Sequence, residues 1–325
     1  MNFSPVVYEH AARFISRSPW EVSRQADLLF QAHAMAFRYY HHSPIVVGID
    51  IYNLEAEAYG ARINEPIGND IPAISRPICS AAADICRLPV LKPDESGRIP
   101  MVISVGEKLK REFPEARVSI PISGPFSIAS NLLGLENLLT EMIVDPPAVL
   151  AALQHLVVSQ LHFCDAVIRH ALSMSVFESA ATPPLISPAM FRSVALPPLK
   201  TMLQHLSQSP AGNTALIMGG DTCTILEDIL TTGAQYLICP AETDQEQFMA
   251  KMQDYPQVMV RINMNPAILS TGNLQAIFRE VDRVLRLAQR RQKVCIGTGI
   301  LPFEIEPEVV LKIRDYIQQT CTTWR

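Results

Sequence analysis

Catalysis and binding by a folded chain need polar side chains held at the edge of an apolar framework. In this 325-residue sequence such residues recur directly after short apolar runs. Asp50 ends the run IVVGID, where a carboxylate beside buried aliphatic groups can have its pKa moved into a proton-handling range. A carboxylate at that place can equally serve as a helix cap or ion-pair partner. Glu178 and Ser179 follow MSVF, Gly219, Gly220 and Asp221 follow ALIM, and Glu242 lies just past YLIC. Ser123 and Gly124 follow RVSIPI, Asn263 and Asn265 follow QVMVRI, and Thr298 sits between Gly297 and Gly299. Glu55 and Glu57 are two residues apart, a spacing that does not share one helix face. The glycine pairs Gly219-Gly220 and Gly297-x-Gly299 could let backbone approach a phosphate or simply make turns.

None of the eight histidines follows such a run, and the seven cysteines are scattered with no C-x-x-C pair. The expectation is therefore no metal site, no zinc knuckle and no disulfide framework.

These candidates need elements to hold them. Apolar, β-branched runs at Ile45–Asp50, Arg117–Ile122, Met174–Glu178, Ala215–Met218, Tyr236–Cys239, Gln257–Ile262 and Val294–Gly297 alternate with long amphipathic segments. Asp145-Pro146-Pro147 marks a helix start, with Asp145 as cap and the helix expected to run to about Leu172. This alternation predicts an α/β fold, a single (β/α)8 TIM barrel over residues 1–325, with the eighth strand hidden and residues 1–43 a helical segment packed on the barrel. An open doubly wound sheet is the alternative. In a barrel the active site lies at the carboxyl ends of the strands, where the residues above fall.

Composition narrows the function classes. Lys+Arg 27 against Asp+Glu 32 gives −5 with no basic run, which argues against nucleic-acid binding. With 48% hydrophobic and 18% charged residues, disordered and fibrous classes are excluded. No apolar stretch reads as a membrane span, and Glu9, His10, Arg13 and Arg17 interrupt any signal-peptide core, so a cytoplasmic protein is expected.

Six segments, in order, resemble the uroporphyrinogen decarboxylase superfamily, which includes cobalamin-linked methyltransferases: DIYNLEAEAYGA, GPFSIASNLLG, EMIVDPPAV, FESAATPPLISPAMF, IMGGDT and GTGILPFEIEPEVV. The resemblance implies the (β/α)8 barrel. It also implies that Asp50 falls where the decarboxylases hold an aspartate on the pyrrole nitrogens, and Ser179 where they hold a serine on a substrate carboxylate. The departures are specific. No MRQAGR-type arginine loop precedes Asp50, Asn131 replaces an expected tyrosine, and Thr298 replaces the histidine of the last GxG. Lacking those arginines, the pocket is expected to lack the fixed cations that an octacarboxylate needs. The methyltransferase branch carries zinc on an H-x-C pair and a later cysteine; here those positions are Ile217, Gly219 and Thr298.

The resulting expectation is a metal-free enzyme with lyase or decarboxylase-type chemistry on a small molecule other than uroporphyrinogen. Asp50, Ser179 and Asp221 are its catalytic candidates, and Gly124, Asn131, Glu178, Gly220, Asn263 and Thr298 its substrate-binding ones. No cofactor is expected. The alternative is a corrinoid-dependent methyltransferase without zinc, for which a corrinoid protein would be the methyl donor; a non-catalytic binding barrel is the third reading. A second copy of the chain is the remaining candidate partner.

Overall fold

The computed structural model describes residues 2–208, 214–289 and 291–323. Eight parallel strands form one curled sheet: β1 (Asn2–Val6), β2 (Ile45–Val46), β3 (Val118–Ser123), β4 (Ser173–Phe177), β5 (Ala215–Ile217), β6 (Tyr236–Cys239), β7 (Met259–Asn263) and β8 (Val294–Ile300). Their hydrogen-bonded order is β1-β8-β7-β6-β5-β4-β3-β2, the α/β barrel expected from the sequence.

The hidden strand is β1. Residues 1–43 were expected to be helical, but they open with this strand, which pairs Asn2 with Cys295, Phe3 with Ile296 and Ser4 with Gly297. Its helices come later, at Pro19–Arg24 and Ala26–Tyr40. Ser4 and Pro5 mask the strand in the sequence by breaking its apolar run.

Two prolines explain why the ladder stops between β1 and β2, and a third shortens the ladder between β2 and β3. Val6 directs its N–H and C=O to β8, through Thr298 Oγ1 (3.0 Å) and the N–H of Leu301 (3.1 Å), so Pro5 faces the other way. Ile45 and Val47 donate to β3, at the carbonyls of Arg117 and Ser119, which turns Pro44 toward β1. Pro121 in β3 lacks the N–H that β2 would need to continue past Val47. The run expected as a strand to Asp50 therefore ends its ladder at Val46. At this seam the Ser4 hydroxyl donates to the Ser43 carbonyl (3.4 Å).

Most of the core lies between sheet and helices, and a smaller apolar cluster of Val6, Tyr8, Val46, Ile51 and Phe177 stands apart from it. The longest helix, Pro146–Arg169, starts as expected, with Asp145 accepting from the Ala148 N–H (3.1 Å), and ends three residues before Leu172. It is long and apolar enough to cross a membrane, but it packs Val149, Leu153, Leu156 and Phe163 into the core.

Candidate active site

A cavity of about 180 Å³ opens at the carboxyl ends of the strands. Its walls are apolar and aromatic: Val6, Ile51, Phe177, Ile217, Met218 and Ile238, with the rings of Tyr8 and Tyr52 set edge-on to Phe177 at 6.0 and 5.7 Å. Five further groups bring polarity into it: Ser179, the Gly219 backbone, Asn263, Arg261 and, exposed at the rim, Glu242.

Ser179 stands just past β4 because Glu178, whose N–H bonds the Ile217 carbonyl (3.0 Å), carries the chain one residue beyond the ladder. Its Oγ accepts the Gly219 N–H (3.0 Å) and lies 2.7 Å from Tyr52 Oη. With Tyr52 donating, the serine keeps its own hydrogen for a ligand in the cavity. Burial pushes the Tyr52 phenol up to about 12, the bond from Ser179 opposing, so it remains a proton carrier at neutral pH.

Arg261 comes from the interior of β7 and is only 6% exposed. Its Nε donates to Asn263 Oδ1 (3.1 Å), two residues on and on the same face of the strand. Among the described residues its terminal nitrogens meet no acceptor and no carboxylate lies within 4.0 Å, and the residue lines the cavity. Gly297 in β8 makes the room: a Cβ there would come within 2.5 Å of Asn263 Oδ1 and 2.8 Å of Arg261 Cδ. Arg261 is thus the one fixed cation of the lining, where an octacarboxylate would need several.

Of the residues chosen from sequence, Ser179 and Asn263 line this cavity together. Asp50 does not, and its expected position at the mouth is corrected. It is 4% exposed and takes a two-point bond from Arg98 (2.9 and 2.7 Å), with Arg24 at 3.4 Å. Both arginines also pair with Glu57, Arg24 at 2.6 Å. Two cations from flanking helical segments, Arg24 ending Pro19–Arg24 and Arg98 preceding Ile99–Glu112, draw the carboxylate away from the axis.

The others also lie outside the cavity lining. Glu178 accepts from the N–H groups of Phe126 (3.0 Å) and Ser127 (2.7 Å) and from the Ser127 hydroxyl, capping the helix Pro125–Leu133 across space. Gly124, at that helix's N-cap, has no room for a Cβ against the Glu178 carboxylate. Burial raises Glu178 to about 7 against those hydrogen bonds. Asn131 donates to the Tyr52 carbonyl (2.7 Å) and so fixes the loop carrying Tyr52. Gly220, at φ +79°, turns the chain so that Asp221 N–H reaches the Pro183 carbonyl (2.9 Å). Asp221 accepts from Thr243 (2.8 Å), and Thr298 stitches β1 to β8 through Val6.

Sequence reasoning missed Arg261, Tyr8 and Tyr52 as cavity residues. An arginine inside the apolar run QVMVRI was the available signal, since charged residues are seldom buried without purpose.

An apolar cavity with convergent polar groups at the carboxyl end of a parallel barrel defines a small-molecule site of the α/β-barrel kind. The uroporphyrinogen decarboxylase (URO-D) family model matches residues 4–319, so the chain belongs to that family. Among solved structures, a methyltransferase from Methanosarcina mazei superposes with a TM-score of 0.81 at 19% identity, covering 98% of this chain and 94% of that one, a likeness of fold. No curated protein matches.

The zinc of the methyltransferase branch finds no donor set here. The three positions that the resemblance assigns to its ligands hold Ile217, Gly219 and a Thr298 whose hydroxyl accepts the Val6 N–H, and no group of three or more His, Cys, Asp or Glu side chains that could hold a metal ion occurs among the described residues.

Proposed function

We propose that this chain is an enzyme of the URO-D family acting on a small molecule, with lyase or decarboxylase-type chemistry on a substrate other than uroporphyrinogen. The observation that carries this reading is the pairing of Tyr52 with Ser179 in a cavity of about 180 Å³, below the roughly 300–1,000 Å³ of common ligand sites. A tetrapyrrole ring with eight acidic arms exceeds that space. In such a reaction the bond to a carboxyl carbon breaks, carbon dioxide leaves, and the electron pair stays on the adjacent carbon. A proton must then arrive there. Ser179 would deliver its hydroxyl proton and recover one from Tyr52, while the Gly219 N–H holds the serine oxygen in place.

The test is carbon dioxide release from a panel of small acids by wild type and Ser179→Ala. Turnover is expected in wild type, with a loss of about 10²-fold in the variant, which should stay folded with a melting temperature lowered by a few degrees at most. No turnover of any acid, or an unimpaired variant, overturns the reading.

A second reading, transfer of a methyl group from a corrinoid protein, is supported by DIYNLEAEAYGA and GPFSIAS, which resemble that branch. Methylcobalamin consumption with methylated product, in place of carbon dioxide release, would select it.

A further inference from the structure

Arg261 is the one cation that lines the cavity, and the reading above leaves its chemistry unused. A guanidinium so far withdrawn from water is ordinarily held by a carboxylate, since burying a charge without a partner is costly. Elsewhere in this chain buried guanidinium groups have their donors met: Arg98 and Arg24 share Asp50 and Glu57, and Arg291 gives its N–H groups to the carbonyls of Met252, Tyr255, Val258 and Lys293. Arg261 has only the neutral Asn263 oxygen on Nε. Tyr8, Tyr236 and Cys295 are the nearby acidic groups, and burial holds each above its usual range, so none supplies a negative charge at neutral pH. Gly297 is moreover the residue that leaves space for the arginine stem and for Asn263. The fold thus spends a glycine inside a strand to keep an uncompensated cation at the floor of a small apolar cavity.

We propose that Arg261 is the anchor of a buried anion site, and that the ligand is a small monocarboxylate whose carboxylate meets Arg261 and whose apolar body lies against Tyr8, Tyr52 and Phe177. The fork of a guanidinium fits a carboxylate in two-point geometry. A single acidic group is specified by the balance of the lining. Arg261 and the rim residue Glu242 are its two charged side chains, so a second anionic group extending to the mouth would meet a carboxylate. A phosphate dianion is disfavoured by the same count, since one cation and one side-chain amide leave most of its oxygens without donors. This inference rests on the reading of the cavity as a substrate site and specifies the class of substrate.

The experiment is calorimetric titration with butyrate, benzoate and phenylacetate, each beside its primary amide, and with succinate and inorganic phosphate. At least one acid should bind wild type saturably and roughly 10- to 100-fold more tightly than its amide, the scale of a charge-assisted hydrogen bond. Succinate and phosphate should bind more weakly than butyrate. Arg261→Met, close in length and apolar, should abolish the preference for acid over amide. Glu242→Gln provides the independent reading and should improve succinate binding several-fold. Equal binding of acid and amide, a preference that survives Arg261→Met, tighter binding of phosphate, or no saturable binding by any acid would each overturn the proposal. Acid binding without turnover would leave the anion site standing and remove the enzyme. Carbon dioxide release from an acid that binds no more tightly than its amide would do the reverse.

Discussion

Arg98 and Arg261 are both withdrawn from water, and the molecule treats them in opposite ways. Arg98 donates to both oxygens of Asp50 and to Glu57, and its guanidinium also reaches the Ser23 carbonyl (2.9 Å). Arg261 lines a cavity and has one neutral acceptor, on Nε. The first arrangement is complete without any other molecule, and its four charged side chains tie Pro19–Arg24, the loop after β2 and the start of Ile99–Glu112 to one another. The second is complete only with a ligand. Burial alone therefore does not separate a structural arginine from a functional one; the count of satisfied donors does.

The sharpest way to break this contrast is to remove a charge from the completed network. Asp50→Asn leaves Arg24 and Arg98 to Glu57 alone and is expected to cost about 3 kcal/mol, because an uncompensated buried charge remains. For a chain of this length that lowers the melting temperature by roughly 4–6 °C. Ligand binding in the cavity should be unchanged. Calorimetry with one acid titration decides it: lost binding at unaltered stability would return Asp50 to the site.

A smaller effect is expected where the glycine opens space for the unpaired arginine. Gly297→Ala pushes a Cβ into Asn263 and Arg261, an overpacking cost of about 1–3 kcal/mol. Acid affinity should fall with it, since the guanidinium is displaced. Denaturant melts together with butyrate titration check both, and a stable variant with intact affinity would show that Gly297 does not set the arginine's position.

The smallest effect concerns pH. Glu55, 1% exposed, accepts from the Ser123 N–H (2.7 Å) and hydroxyl (2.9 Å), and burial raises it to about 7 from an ordinary value near 4.5. The folded chain thus favours the protonated acid. Its contribution is full below about pH 4.5 and is lost as pH rises through 7. Glu55→Gln, which keeps the acceptor for Ser123, should match wild type near pH 5 and melt a few degrees higher at pH 8. The acid side runs the other way. His33 and His42 are lowered by burial to about 4 and about 3, so their contribution is lost as pH falls below about 6.5. Identical melting curves for wild type and Glu55→Gln across this range would remove Glu55 from the pH response.

The barrel was legible because seven strands are apolar, β-branched runs, and the rim rule found Ser179 and Asn263 because they stand at the ends of such runs. The same rule was blind to Arg261, which lies inside a strand, and to Tyr8, which follows a strand that Ser4 and Pro5 conceal. It also drew in Glu178 and Gly124. A carboxylate after a strand reads alike in sequence whether it meets a ligand or, as here, caps the helix that follows the neighbouring strand. Asp50 shows the same ambiguity, settled by arginines 26 and 48 positions away.

The pairing of β1 with β8 sets an order of events during synthesis. Of the barrel's strands Asn2–Val6 is made first and Val294–Ile300 last, so the early strand waits for about 290 residues of chain, roughly 15–60 s at ordinary elongation rates. Throughout that interval its backbone donors have no β8 to meet, and Pro5 and Ser4 keep it a poor template for pairing with other nascent chains. Tyr8 and the β8 residues that shape the cavity come together only when this last ladder forms. The pocket is thus assembled in the step that closes the barrel, and a chain that has not finished folding has no site to offer.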